Sequence, residues 1–143
     1  MIISKLRKYS DIGLLILRLG IGAAFVFVHG WGKITGGTEV WTKLGSAMTH
    51  LGITFAPVMW GFMAAVSEFV GGILLAAGLF TRTVSSLMAF TMFVATVMHL
   101  SKLDPWNKVI YPVELLSVFI ALIFLGSGKY SLDKYFFKKI KPS

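Results

Sequence analysis

Four apolar runs, each long enough to cross a bilayer, constrain this chain more than any other feature. They cover residues 12–31, 57–80, 83–100 and 109–126. A helix rises about 1.5 Å per residue, so crossing a hydrocarbon core about 30 Å thick takes roughly 20 apolar residues. Four such helices use most of the 143 residues. A hydrophobic share of 56% and a mean hydropathy of +0.79 lie well above a soluble domain. The expected fold is an all-α integral membrane four-helix bundle, one transmembrane domain over residues 1–143.

Charge supports a membrane rather than a nucleic acid. The chain carries a net +8, yet its cations gather in the tails and flank apolar segments. Nine of them (Lys5, Arg7, Lys8, Arg82, Lys129, Lys134, Lys138, Lys139, Lys141) fall on the side of both tails, and four (Lys33, Lys43, Lys102, Lys108) on the other. The positive-inside tendency then places both termini, residues 1–11 and 127–143, in the cytoplasm. Arg18 within the first run, and the lack of a small-residue cleavage site, argue against a removed signal peptide. Without cysteine the chain cannot shuttle disulfides or hold Cys-ligated zinc or iron–sulfur clusters.

The connections differ in kind. Residues 1–10 mix Ile2, Ile3 and Leu6 with cations, a pattern suited to the headgroup region. In the long first connection Trp41, Leu44, Met48 and Leu51 recur at helical spacing, predicting an interfacial helix over about 39–51 that covers the outer ends of the bundle or is simply an amphipathic loop. Thr81-Arg82 alone joins the second and third runs, so these are antiparallel neighbours. "SKLDPWNK" is a turn fixed by Pro105, with Trp106 at headgroup level. The last tail sets Leu132, Phe136 and Ile140 on one face between lysines, suited to an anionic inner leaflet.

Ionisable residues inside the runs are the candidates for chemistry. Arg18 lies roughly 9 Å into the first helix and Glu68 roughly 16 Å into the second from the opposite side, so their levels nearly coincide. An Arg18–Glu68 ion pair is expected, as a device that fixes register or as a functional layer. Nearer the outer face, His29 ends the first helix, His99 ends the third, and Glu114 opens the fourth one turn after Tyr111. Arg18, Gly22, His29 and Lys33 fall on one stripe of the first helix. His29, His99 and Glu114 lack a ligand spacing on any one helix, so no metal site is expected. They could instead handle the oxygens and protons of a quinone headgroup, or be helix-end groups satisfied by water.

"RLGIGAAFVFVHGWGKI" (18–34), "SEFVGGILLAAGLFTR" (67–82) and "YPVELLSVFIALIFLGSGKYSLD" (111–133) together resemble the DoxX family of membrane proteins, in its order and over nearly the whole chain. The resemblance implies a small protein of a prokaryotic inner membrane, a subunit of quinone-linked oxidoreductase complexes with a soluble or membrane redox partner. The outer cluster itself makes His29, His99 and Glu114 the candidate catalytic residues, with Tyr111, Lys33 and Trp31 as candidate contacts to a membrane quinone. The alternatives are a non-catalytic anchor or assembly factor, and a small-solute or proton carrier using the Arg18–Glu68 layer. The lipid bilayer is the one partner common to all three.

Overall fold

A computed structural model describes residues 2–138, with side chains for 9–136. The apolar faces expected at Ile2, Ile3, Leu6 and Ile140 lie outside the described side chains. Helix α1 (Ile2–Ala24) passes through one π-helical turn (Phe25–Gly30) into α2 (Trp31–Ile34). Helix α3 (Gly37–Gly45) leads into a 3-10 segment (Ser46–Leu51). Then follow α4 (Pro57–Ala77), α5 (Thr81–Ser101), α6 (Trp106–Leu125) and the short α7 (Leu132–Lys138). Among the described residues four segments are long and apolar enough to span a bilayer: Tyr9–Ile34, Pro57–Ala77, Thr81–Ser101 and Trp106–Leu125. The bundle is all-α among the described residues, and its outward side chains, Phe27, Ile73 and Phe93 among them, meet lipid.

Helix ends follow local chemistry. Pro57 opens α4, where its missing N–H is no loss. Gly78, with φ of 68°, closes α4 as the Leu79 N–H bonds the Leu74 carbonyl. The first helix is longer than its apolar run because residues 2–12 contain neither proline nor glycine, so nothing separates the basic head from the span.

Helix α4 is central, packed against α1, α3 and α5, while α5 pairs closely with α6. The expected outer segment is a helix and a 3-10 turn lying tightly on α4. A Cβ on Gly45 would fall on the Pro57 carbonyl, and one on Gly61 on the Trp41 carbonyl, so two glycines permit a backbone-to-backbone crossing. Trp41 fixes it further, donating its indole N–H to the Lys33 carbonyl at 2.8 Å. Ala47 and Met48 are buried against Val94. Across the middle of the bundle Phe25, Leu75, Met88, Phe119 and Leu122 form a closed apolar core. Polar layers lie on both sides of it.

Candidate functional site: an outer cavity with two polar pairs

The layer under α3, called outer on the expected orientation, encloses a cavity of about 620 Å³. Its roof is the α3 and 3-10 segment, and its two long walls are facing stripes of α4 (Trp60, Met63, Ala64, Ser67, Glu68) and α5 (Leu87, Phe90, Thr91, Val94, Ala95, Met98). These residues recur every three or four positions, so each helix turns one continuous face to the space. The back is formed by Phe25, His29, Lys33, Tyr111 and Pro112. At the front Met63, Leu87 and Phe90 are each about half exposed on the outer surface of the bundle. The cavity therefore opens sideways, between α4 and α5, at a level where lipid lies.

Two polar pairs line it, one around the sealed Glu68 and one that includes Tyr111, itself 44% exposed. Lys33 Nζ donates to both Glu68 oxygens, at 2.7 and 2.5 Å. Glu68 is 3% exposed and Lys33 30%, so the carboxylate is sealed while the ammonium reaches it from the wetter side. The second pair is Tyr111 and His29, whose hydroxyl and Nε2 share a hydrogen bond of 2.6 Å between α6 and the π turn. The π turn widens the helix by about one residue, and such turns are frequent at functional sites. Across it, His29 within the turn and Lys33 beyond it both line the cavity, while Gly30 packs directly on the Phe69 backbone.

Glu68 thus pairs with Lys33, and the expected Arg18–Glu68 pair does not form. The apolar run of the first helix ends at residue 31, whereas the span continues to Ile34. Lys33 is therefore part of the helix end rather than a loop, and its long side chain reaches inward. Arg18 lies instead at the level of the α4–α5 turn, against Gly78, where its Nη2 donates to the Tyr130 carbonyl at 2.5 Å.

The other expected site residues are divided. His99 is at the rim, hydrogen-bonded through Nδ1 to Asp104 at 2.7 Å. That bond holds the partly buried Asp104 carboxyl below its ordinary pKa. Glu114 does not join the histidines: it lies on the exposed face of α6, and its side chain has no partner among the described residues. Trp31 also faces outward, 58% exposed, with its ring against Phe69. The residue that closes the first helix inward is Lys33, not Trp31. The Asp104 partner escaped notice because a "DP" turn already explains an aspartate. Ser67 and Thr91, 3.4 Å apart across α4 and α5, were hidden among small packing residues.

The inner layer has different chemistry. Arg18 is wholly buried, attracted by Asp133, and its Nε and Nη1 are without partners among the described residues. Asp133 receives the Phe80 and Thr81 N–H groups at 2.7 and 3.1 Å, capping α5 from a distant part of the chain. Its own N–H bonds the Gly78 carbonyl. Asp11 likewise accepts the Lys129 N–H at 2.9 Å. These contacts tie α1, the α4–α5 turn and the segment after α6 into one clasp.

Comparison with known proteins agrees with the helical pattern and the motifs. The DoxX family profile matches residues 13–100. The chain is 31% identical over 133 residues to a Bacillus subtilis (strain 168) protein named "Putative oxidoreductase CatD", covering 93% of each. No solved structure matches the chain. A profile covering more than half the chain, and a relative aligned along nearly all of it, lead to one conclusion: this membrane-spanning protein belongs to the DoxX family.

Proposed function

We propose that this DoxX protein is the membrane subunit of a redox complex, holding the headgroup of a membrane quinone in the outer cavity and docking a soluble oxidoreductase partner. One observation carries the reading: a largely apolar cavity opens to lipid at its front and presents two hydrogen-bonded polar pairs at its back. That donor set suits a ring with two oxygens and an apolar chain. Lys33 and Tyr111 are donors for a carbonyl oxygen, and His29 and Glu68 accept or return protons. Ser67 and Thr91 add hydroxyls partway along the walls. When bound, a quinone would supply two-electron redox chemistry, and the chain's residues would hold its oxygens, exclude bulk water and exchange protons. The name of the Bacillus relative is in keeping with such a role. His99, at the rim beside Asp104, would pass protons between the cavity and the outer surface.

The same reading places the protein in a prokaryotic inner membrane with both termini cytoplasmic, on the ground of nine cations on that side against four. The cavity then lies in the outer half of the bilayer. The carrier alternative rested on an Arg18–Glu68 layer, which the Lys33–Glu68 pair replaces.

Quinone titration of the purified protein in nanodiscs tests the reading, with quenching of Trp60, a wall residue, as the signal. Saturable binding is expected, weakened about tenfold by Tyr111→Phe, which removes one hydrogen bond of ordinary strength. No saturable binding by the intact, folded protein would reject the quinone reading and leave a membrane anchor.

A further inference from the structure

The outward face of α6 does not look like a surface made for lipid. Asn107, Ile110, Glu114, Ser117, Ala121 and Phe124 follow one another at alternating steps of three and four residues, which sets them in a single seam along the helix. All but Ile110 are exposed, and Ile110 is half-buried. Taking Val109 as the first residue below the headgroups, Glu114 lies about 7 Å inside the apolar layer. There a carboxylate needs a cation or a hydrogen-bond donor. Its side chain has none among the described residues. Ser117 and Ala121, one and two turns further in, are small enough to let another helix backbone approach.

From this seam we infer that α6 is the docking face for a membrane-spanning helix of a different protein, one that presents a lysine or arginine at the level of Glu114. Charge decides between a different protein and a second copy. A parallel copy packed through the same seam would set Glu114 against its own equivalent. Within the spanning helices of this chain, Arg18 is buried, Lys33 is engaged by Glu68, and Arg82 and Lys108 lie at helix ends. No cation of a copy is therefore available at that level among the described residues. The seam lies on the side of α6 opposite its buried Val109, Pro112 and Phe119, so a helix docked there leaves the cavity between α4 and α5 open.

A photo-reactive residue in place of Ala121, in the full chain and in its own host membrane, tests this inference. The expected product is an adduct with another protein. Its crosslinked peptide should come from a spanning segment with a lysine or arginine within about two turns of the attachment point. Glu114→Gln should lower the yield about tenfold and Glu114→Asp should restore most of it, in keeping with one interhelical polar contact in lipid. Adducts only with lipid, adducts with a second copy of this chain, or an unchanged yield for a membrane-inserted Glu114→Gln protein would each overturn it. Quinone titration of Glu114→Gln keeps the two proposals apart, since α6 docking can fail while the cavity still binds.

Discussion

The two polar layers of this bundle are built from similar residues and arranged to opposite ends. In the inner layer the polar side chains bond mainly to backbone: Arg18 to a carbonyl, Asp133 to two N–H groups, Asp11 to another. These are the contacts of a clasp, with each helix end or loop completed by one side chain. In the outer layer side chain meets side chain, Lys33 with Glu68 and Tyr111 with His29, around open space. Those groups fix no helix end. A buried cation is therefore not by itself a functional site. Whether its partners are backbone groups at helix ends or other side chains separates architecture from chemistry.

The largest effect expected is from opening the outer pair on one side. Lys33→Met leaves the sealed Glu68 carboxylate unpaired and should lower bundle stability by about 3 kcal/mol, whereas Lys33→Met with Glu68→Met should regain most of the loss. A melting cycle in detergent measures both. Glu68→Gln should cost less, because Lys33 is partly exposed and can turn toward water. Arg18→Met should cost about 2 kcal/mol, the loss of a charge-assisted hydrogen bond in the clasp. It should add to Glu68→Gln within about 0.5 kcal/mol, since the two do not meet. Strong coupling between them would restore the single-layer picture.

Smaller effects sharpen the contrast. Asp133→Ala removes the cap of α5 and should cost about 1 kcal/mol, with quinone affinity unchanged. The smallest is pH-dependent. The His99–Asp104 bond depresses the Asp104 pKa, so its stabilisation is present above the ordinary aspartate value and is lost as pH falls through the lower, folded value. Hydrogen exchange in the loop around residues 101–105 should rise only in that acid range. A rise beginning near neutral pH would assign the change to another group.

Much of the architecture was readable in advance because hydropathy and length act along the chain. The four spans, a tight α4–α5 turn and the helical character of the roof follow from spacing, although the turn is residues 78–80 and Thr81-Arg82 already belong to α5. The partner of Glu68 did not, because it depends on where the first helix begins and ends. Ending that helix three residues early left Lys33 in a loop, and counting residues did not show that the Arg18 side chain bonds the Tyr130 carbonyl at the inner end. Helical spacing did place His29 and Lys33 toward the same interior, although a π turn lies just before Lys33. For Glu114, closeness of level suggested a cluster, but azimuth placed it on the opposite side of α6 from the cavity. Depth can be read from residue counts; rotation about a helix axis needs the packed neighbours.

The central claim is that the outer layer is a ligand site and the inner layer a structural clasp. Photolabelling with an azido-quinone in nanodiscs, followed by peptide mapping, tests it most directly. Adducts are predicted on the cavity walls, at Met63, Ser67, Phe90 and Thr91, and should be lost when unlabelled quinone is in excess. Adducts concentrated instead around Arg82, Lys129 and Tyr130 at the inner layer, with the same competition, would contradict the account.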